Sequence, residues 1–343
     1  MEQEHERLIG EAPAFLKILD DVSQAAPLDK PVLIVGERGT GKELIAARLH
    51  YLSNRWENAY IKMNCAAIND TLLETELFGH EAGAFTGASR SHKGRFERAD
   101  GGSLFLDELA NASLLVQEKI LRVIEYGEFE RVGGSKTQKV DVRLIAATNE
   151  DLPTLAVQGK FRRDLLDRLA FDVITLPPLR ERENDIMLLA EQFGINMASE
   201  LEREYFPGFS KSAQDVLLSH RWPGNVRELK NVVERCVYRH LDPHAAIHEI
   251  ILDPFDSPYR PESGQITKNS GFSSDRTPGE FPMDLKECVQ EYETDLIRQA
   301  LEKGKYNQKK AAELLGVTYH QLRGYLKKYQ LLNGGRQDEP SEN

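Results

Sequence analysis

A glycine-rich segment between an apolar run and a helical pattern constrains the fold of this chain more than any other feature. The run Val32–Val35 leads into residues 36–42, and a helical pattern follows over residues 43–50. Glycines allow successive backbone N–H groups to face one anion, and the start of a helix adds partial positive charge. The strand–GxxxxGK–helix order therefore predicts a phosphate-binding loop for ATP. The residues expected to contact the nucleotide are Gly36, Glu37, Arg38, Gly39, Thr40, Gly41, Lys42 and Glu43.

Short apolar runs alternate with helical patterns through the first half of the sequence. Strands are predicted at residues 32–35, 60–64, 104–106, 142–147 and 171–176. Strands separated by helices favour a parallel sheet with helices on both faces. Pro177 and Pro178 end this pattern, and helical patterns with breakers continue to residue 252. The predicted fold class is α/β: a P-loop ATPase in which helices sandwich a parallel sheet, followed by a helical lid.

The composition divides the rest of the chain. Residues 255–282 are rich in Ser, Pro and Gly and lack periodicity, which is typical of a flexible linker. A long amphipathic helical pattern and two short ones follow. The predicted domains are an α/β ATPase part at 1–175, a helical lid at 176–254, the linker at 255–282, a helix-turn-helix domain at 283–333 and a tail at 334–343.

Two adjacent acids end the apolar strand predicted at 104–106. Because ionised carboxylates are costly to bury, packing does not account for Asp107 and Glu108. With a phosphate loop upstream, Asp107 is predicted to hold Mg²⁺ and Glu108 to polarise the attacking water. Glu43 replaces the Ser or Thr that usually follows Lys42, so the metal is expected to depend on other groups. The alternative is a pair of solvated acids at a strand end.

Phosphoryl transfer also requires groups that sense and neutralise negative charge. Asn149 follows the strand predicted at 142–147 and is suited to position water or the γ-phosphate. The segment at 161–168 contains Arg162, Arg163 and Arg168, one or two of which are candidates for fingers supplied to a neighbouring subunit. Arg227 opens a helix of the lid and is a candidate for reporting nucleotide state. The remaining arginines of the 161–168 segment are expected to be ordinary surface charges.

The C-terminal segment is basic, although the whole chain has a net charge of −11. Between residues 303 and 330, seven Lys and Arg residues accompany one acidic residue. Ala312, Gly316 and Leu322 have helix-turn-helix spacing, in which a small residue, a tight turn and a packed leucine let two helices cross. The alternative for this segment is a charged helix face that only contacts solvent, and Tyr319 and His320 could each be packing residues instead. The residues predicted to contact DNA are Thr318, Tyr319, His320, Arg323 and Lys327.

Composition excludes several other classes of protein. No apolar run approaches the ~18 residues of a membrane span, and the first twenty residues lack the apolar stretch of a signal peptide. Cys65, Cys236 and Cys288 are odd in number and far apart, which argues against a disulfide framework and a zinc site. We therefore expect a cytoplasmic protein with reduced thiols and no direct membrane insertion.

Residues 83–88 carry the most specific motif of the chain, a glycine-hinged loop with an aromatic and a hydroxyl at its tip. Its members are Gly83, Ala84, Phe85, Thr86, Gly87 and Ala88. With the phosphate loop and the paired acids, this hexapeptide resembles that of the bacterial enhancer-binding activators of sigma-54 RNA polymerase, within the AAA+ ATPases. The resemblance covers residues 9–252 and the C-terminal segment, and it implies that the loop grips the sigma factor. From the residues alone, an ordinary turn with Phe85 buried is the alternative.

The resemblance implies further roles at matching positions. The family also has glutamate after the lysine of the phosphate loop, so Glu43 is not a sign of inactivity. Asn64 resembles the residue that restrains the catalytic glutamate. Arg162 and Arg168 resemble trans-acting arginines, and Arg227 resembles the second sensor. Residues 127–139 resemble a second pore loop that moves with the first.

The family also implies assembly, partners and control. Its members form hexameric rings with ATP between subunits, bind enhancer DNA and use ATP hydrolysis to convert the closed complex of sigma-54 RNA polymerase holoenzyme into an open complex. Most members carry an N-terminal sensory domain, for which this sequence leaves no room, so a separate inhibitory protein is expected. Trp56 lies in a polar stretch and is the candidate inhibitor-binding anchor, with packing on the sheet edge as its alternative.

Two other functions are weighed against this interpretation. One is another AAA+ remodeller or a DNA-translocating motor, in which the glycine loop contacts DNA; the hexapeptide argues against it. The other is a DNA-binding repressor with a vestigial nucleotide fold. Intact Lys42, Asp107, Glu108 and Arg168 argue against that alternative.

Overall fold

A computed structural model describes residues 8–255, 259, 285–304 and 307–329. They belong to two compact units, Met1–Ser257 and Pro258–Asn343. Most of the predicted linker, at 255–282, and all of the predicted tail, at 334–343, lie outside the described residues. Within the described part of the chain, no helix is long and apolar enough to cross a lipid bilayer.

A five-stranded parallel sheet forms the centre of the first unit. The described strands are β1 (Val32–Val35), β2 (Tyr60–Asn64), β3 (Ser103–Asp107), β4 (Glu128–Glu130), β5 (Thr137–Lys139), β6 (Arg143–Thr148) and β7 (Val173–Thr175). The sheet order is β2-β3-β6-β1-β7, and every neighbouring pair is parallel. The predicted parallel sheet is therefore confirmed.

The strand predictions differ from the structure mainly in their bounds. The strands at 32–35 and 60–64 agree with β1 and β2, whereas β3 is longer than predicted by one residue at each end and β6 is shifted by one residue toward the C-terminus. The strand predicted at 171–176 is shorter, because only residues 173–175 pair with β1. The hairpin β4–β5 pairs antiparallel and was not predicted, since three-residue strands are too short to show a period.

Helices flank both faces of the sheet and form the lid. They are α1 (Pro13–Ala25), α2 (Lys42–Tyr51), α3 (Asp70–Phe78), α4 (Arg95–Arg98), α5 (Leu114–Tyr126), α6 (Leu152–Val157), α7 (Arg163–Leu169), α8 (Glu183–Glu200), α9 (Lys211–Ser219), α10 (Asn225–Arg239), α11 (Leu285–Lys303), α12 (Gln308–Leu314) and α13 (Tyr319–Lys328). The first seven belong to the α/β part, and α8–α10 form the lid.

Alternation along the strands divides the α/β part into two hydrophobic cores. Leu104 and Leu106 of β3 enter the core covered by α3, α5, α6 and α7, whereas Phe105 enters the core covered by α1 and α2. Successive side chains of a strand point to opposite faces, so a strand buried on both sides reads as an unbroken apolar run. This arrangement places the carboxyl ends of β1, β2, β3 and β6 at one edge of the sheet.

A buried ion pair joins the lid to the start of the α/β part. Arg182 Nε donates to Asp185 Oδ2 at 2.7 Å, and the Arg182 guanidinium stacks 3.8 Å from the centre of the Phe15 ring. Asp185 Oδ1 accepts the backbone N–H groups of Glu11 and Ala12 at 2.6 and 2.9 Å. A buried charge is tolerated only when it is paired and hydrogen-bonded, and both conditions are met here.

The second unit contains the predicted pair of short helices. Thr318 accepts the backbone N–H of Gln321, and the Gln321 side chain bonds back to the Thr318 backbone, which forms a capping box at the start of α13. Gly316 has φ +66° in the turn, where glycine is favoured. Ala312 and Leu322 are buried in a small core. The predicted helix-turn-helix is therefore confirmed.

Candidate functional site

The phosphate loop connects β1 to α2 and carries two glycines in the left-handed region. Gly39 and Gly41 have φ +77° and +97°, and Gly41 directly precedes α2. Lys42 is almost fully buried, and its Nζ donates to the carbonyl oxygens of Gly36 and Glu37 at 2.9 and 3.2 Å. The Thr40 hydroxyl donates to the same Glu37 carbonyl at 2.9 Å. The loop therefore holds the Lys42 ammonium group close to the N-terminus of α2. The positive charge of the lysine and the partial positive charge of the helix end both favour binding of an anion there.

The paired acids meet this loop at the carboxyl edge of the sheet. Burial raises the pKa of Asp107, while the nearby charges of Lys42 and Arg227 oppose that rise. Burial lowers the pKa of Lys42, while Glu108 and Asp107 oppose that fall. These mutual effects show that the lysine, both carboxylates and the lid arginine converge on one site. Glu108 has φ +52°, an uncommon value that directs the backbone away from β3 immediately after Asp107.

Two amides accompany the acids. Asn64 pairs with Asp107 in the register of β2 and β3, and its Nδ2 donates to Asp107 Oδ2 at 3.2 Å. Asn149, with its amide nitrogen turned toward the carboxylate, donates to both oxygens of Glu108. In this structure the amide in contact with Glu108 therefore belongs to Asn149, and Asn64 contacts the neighbouring acid. The predicted restraint of Glu108 by Asn64 stays a prediction.

The donor set suits magnesium held jointly with a triphosphate. Among the described residues, no three His, Cys, Asp or Glu side chains are grouped closely enough to hold a metal ion alone. Magnesium commonly takes one or two protein carboxylates and completes its shell with substrate phosphates and water. Asp107 fits that requirement. Glu43 lies in the first turn of α2, and its carboxylate accepts from Lys62 Nζ at 2.8 Å.

The two candidate finger arginines, Arg162 and Arg168, lie on the surface of the α/β part. Arg162 contacts Asp164 and Glu118 at 2.7 and 3.3 Å, and Arg168 Nε donates to Glu125 at 2.8 Å. Among the described contacts, neither arginine bonds to the phosphate loop of its own chain. Both guanidinium groups lie beside α5, on the partly exposed surface.

Arg227 lies in the first turn of α10, and its backbone N–H approaches the Gly39 carbonyl at 3.4 Å. The structure thus brings Arg227 to the phosphate loop, and its role in reporting nucleotide state stays a prediction.

The sequence interpretation missed further contacts between the lid and the phosphate loop. The Glu37 carboxylate does not point freely toward solvent but bonds to Arg180 and to Asn225. Asn225 is fully buried and has φ +54°. An available signal was its position after Trp222-Pro223-Gly224, because asparagine is one of the few residues that tolerate a left-handed conformation at a turn.

The glycine-hinged loop at 83–88 is a compact turn on the surface. Gly83 and Gly87 have φ +85° and +105°, and the Gly83 N–H donates to the Ala88 carbonyl at 2.7 Å. Phe85 is 45% exposed and lies edge-on to the His80 ring, with 4.9 Å between ring centres. The alternative of a buried phenylalanine is therefore wrong. The loop presents the aromatic ring and the exposed Thr86 outward.

The candidate surfaces for DNA and for an inhibitor are both exposed. Tyr319, His320, Arg323 and Lys327 of α13 face solvent, while Leu322 and Leu326 of the same helix are buried. Trp56 is 55% exposed, so more than half of its side chain is open to solvent.

The loop that carries Trp56 is held by its neighbour Arg55. The Arg55 guanidinium bonds to Asp29 at 2.7 Å and to Asp141 at 2.8 Å.

Three family models match successive parts of the chain. The Sigma-54 interaction domain matches residues 8–175, and the AAA+ ATPase lid domain matches residues 180–254. The model described as bacterial regulatory protein, Fis family, matches residues 289–329. These ranges include the phosphate loop, the paired acids, the glycine-hinged loop, the lid and the helix-turn-helix.

Curated relatives match across nearly the whole chain. The Psp operon transcriptional activator of Escherichia coli (strain K12) is 60% identical over 331 residues, covering 96% of this chain and 100% of that protein. The Nif-specific regulatory protein of Azotobacter vinelandii is 43% identical over 321 residues, covering 92% of this chain and 57% of that protein.

Solved structures show the same fold. NtrX from Brucella abortus in complex with ATP is 32% identical, with a TM-score of 0.67 and coverage of 94% of this chain and 70% of that chain. These findings confirm the predicted fold class and the family resemblance. The chain therefore belongs to the sigma-54-dependent transcription activators, and it is an AAA+ ATPase that also carries a Fis-type DNA-binding domain.

Proposed function

We propose that this chain hydrolyses ATP to remodel the closed promoter complex of sigma-54 RNA polymerase holoenzyme into an open complex. The observation that carries this proposal is the combination, in one α/β unit, of converging Lys42, Asp107 and Glu108 with an outward aromatic loop at 83–88. A nucleotide site alone occurs in many remodelling ATPases, whereas the presence of this loop within a Sigma-54 interaction domain supports the sigma factor as the target. The solved ATP complex of NtrX supports the nucleotide assignment.

The residues divide the hydrolytic step between them. Lys42 and the backbone N–H groups of residues 36–42 bind the phosphates, and Glu108 takes a proton from the attacking water as the water approaches the γ-phosphate. Asn149 contacts Glu108 and orients its carboxylate. Asp107 would hold Mg²⁺, which supplies charge neutralisation to the phosphates when bound. Arg227 reaches the site from the lid and adds positive charge where negative charge develops.

Assembly would complete the site. Arg162 and Arg168 lie beside α5, away from the phosphate loop of their own chain, so they are suited to serve the nucleotide of an adjacent subunit. A closed hexameric ring gives every nucleotide site such a neighbour, because a head-to-tail interface repeats until it closes. Mixtures of Lys42→Ala and Arg168→Ala subunits test this arrangement. Neither variant alone should hydrolyse ATP, whereas the mixture should recover part of the turnover at interfaces that pair an intact Lys42 with an intact Arg168.

Promoter opening in vitro tests the function itself. Purified chain, sigma-54 holoenzyme and promoter DNA are expected to give open complexes with ATP and none with a non-hydrolysable analogue. Open complexes that need no hydrolysis, or that never form although ATP is hydrolysed, would contradict the proposal. A DNA-binding repressor would give no open complexes with either ATP or the analogue. A DNA motor would give open complexes that do not require residues 83–88.

The helix-turn-helix unit is proposed to bind enhancer DNA through Thr318, Tyr319, His320, Arg323 and Lys327 and so to raise local concentration at the promoter. A chain that ends at Pro254 keeps both cores of the α/β part and the core of the lid. We expect it to hydrolyse ATP and to open promoters at high concentration, because tethering acts through effective concentration. Promoter opening measured against protein concentration checks this. A folded truncated chain that never activates would show a more direct role for the DNA-binding unit.

Trp56 is proposed as the anchor for a separate inhibitory protein. Its ring is exposed on a loop that Arg55 fixes to two carboxylates, and a rigid exposed aromatic is a common interface hot spot. We expect Trp56→Ala to fold and hydrolyse ATP normally but to escape inhibition, so that activity in cells becomes constitutive. Reporter expression from a sigma-54 promoter measures this, with Tyr238→Ala, another exposed aromatic, as control. Trp56→Ala protein that remains fully inhibitable would place the docking surface elsewhere.

A further inference from the structure

Three side chains clamp the phosphate loop to the lid. Glu37 Oε1 accepts from Arg180 Nη2 at 2.6 Å, and Glu37 Oε2 accepts from Arg180 Nη1 at 3.0 Å and from Asn225 Nδ2 at 3.1 Å. We call these three residues the lid clasp. Because a two-pronged guanidinium–carboxylate pair fixes the relative orientation of both groups, the clasp specifies geometry as well as contact.

The carboxylate of the clasp would be unfavourable beside a triphosphate if it were left alone. The hydrogen bonds from Arg180 hold the pKa of Glu37 at about 2, so the group is ionised at neutral pH. A negative charge in a phosphate-binding loop repels its ligand unless a cation neutralises it. Arg180, which belongs to the lid rather than to the loop, supplies that neutralisation. The negative charge of Glu37 in the phosphate loop is therefore neutralised only while the lid holds Arg180 against it.

Asn225 makes the clasp rigid. Its Nδ2 also donates to the Arg38 carbonyl at 3.0 Å, and its Oδ1 accepts the Leu179 N–H at 2.8 Å. The residue is fully buried with φ +54°, a conformation that costs free energy and persists only where surrounding contacts fix it. Both polar atoms of the amide are thus used, one on the phosphate loop and one on the lid.

The clasp lies directly beside Arg227. Asn225 begins α10, and two residues later the Arg227 N–H approaches the Gly39 carbonyl at 3.4 Å. A Cβ at Gly39 would lie 2.3 Å from the Gly224 carbonyl oxygen, so the lid packs tightly against the loop at this point. Residues 37, 38 and 39 consequently each contact the lid, and the position of Arg227 follows the position of the loop.

The backbone of Glu37 also contacts the phosphate-binding lysine, Lys42. Lys42 Nζ and the Thr40 hydroxyl both donate to the Glu37 carbonyl, at 3.2 and 2.9 Å. When Lys42 turns toward phosphate oxygens, its bond to this carbonyl must weaken. The backbone carbonyl of Glu37 therefore loses a hydrogen bond when Lys42 binds phosphate, while the Glu37 side chain remains bonded to the lid.

We propose that Glu37 is a positioning residue, which through Arg180 and Asn225 couples nucleotide binding at Lys42 to the placement of Arg227 by the lid. The proposal rests on the roles assigned above to Lys42 and Arg227. It goes beyond them because it gives a loop side chain and two lid residues a function other than contact with the nucleotide.

Steady-state ATP hydrolysis by full-length variants tests this coupling. Glu37→Gln and Arg180→Ala are each expected to lower kcat by about tenfold, and the double variant is expected to be no slower than either single one, because residues that act as a unit are not additive. Combining Glu37→Gln with Arg227→Ala should likewise give no further loss. Asp215→Asn removes an exposed carboxylate that pairs with Lys211 within α9, and it should change nothing.

The outcomes separate coupling from simple stability. A melting temperature that falls in Glu37→Gln while kcat and KM stay unchanged would reduce the clasp to a structural contact and overturn the proposal. Losses in the Glu37→Gln and Arg227→Ala variants that multiply would also overturn it, since the two residues would then act independently. If the unmodified chain and Asp215→Asn do not hydrolyse ATP, the assignment of the nucleotide site fails first.

Discussion

Glu108→Gln is expected to slow ATP turnover by about 10²- to 10⁴-fold, the range over which general bases contribute, while ATP binding persists. Glutamine keeps the size of the side chain but cannot accept the proton of the attacking water. Lys42 and the loop amides, which bind the phosphates, are left in place. Steady-state hydrolysis and equilibrium nucleotide binding, measured on the same preparation, check the prediction.

Two further variants define what the loss means. Asp107→Ala should reduce turnover and also weaken magnesium-dependent binding, because this carboxylate is assigned to the metal rather than to the water. Asp20→Asn removes an exposed carboxylate on α1 and should leave both measurements unchanged. Normal hydrolysis by Glu108→Gln would remove this residue from the mechanism and direct attention to another base.

Phe85→Ala and Thr86→Ala are expected to abolish engagement of the sigma factor while leaving ATP hydrolysis largely intact. Truncating a central aromatic anchor typically costs about 2–4 kcal/mol of binding free energy, which corresponds to a loss of affinity of roughly 30- to 700-fold. The loop contains no phosphate-binding group, and its own backbone bond from Gly83 to Ala88 does not depend on either side chain. Binding to the sigma factor with an ATP transition-state analogue measures the effect.

The control for this experiment is another exposed phenylalanine of the same α/β part. Phe171 is 56% exposed, and Phe171→Ala should bind the sigma factor normally. If Phe85→Ala and Thr86→Ala both bind as well as the unmodified chain does, the loop is not the grip. If they also lose ATP hydrolysis, the loop is coupled to the nucleotide site more tightly than its surface position indicates.

Much of the fold could be predicted because its signals are local. Apolar runs such as Val32–Val35 are buried on both sides of the sheet and therefore read as strands without any tertiary information. The capping residue Thr318 and the turn at Gly316 act within one or two turns of helix, so their spacing is visible in the sequence. The short hairpin β4–β5 escaped prediction because three residues carry too little period.

The candidate site was also partly visible. Lys42, Asp107 and Glu108 belong to motifs whose order along the chain already fixes which end of the sheet they share. Their convergence follows from the topology of parallel strands, which brings the ends of β1 and β3 to one edge. The partner of each amide, by contrast, depends on strand register and side-chain rotamer. Asn64 accordingly contacts Asp107, although the family resemblance implies a restraint on Glu108.

By itself, the sequence determined the fold class, the phosphate loop, the paired acids and the DNA-binding helices, because each depends on residues close together in the chain. Only the tertiary structure decided that Phe85 and Trp56 are exposed, since exposure depends on what distant segments cover. It also decided that Glu37 faces the lid. Glu37 and Arg180 are separated by 143 positions along the chain, and no periodicity or motif extends that far. Their contact exists because the lid packs against the phosphate loop around the buried amide of Asn225.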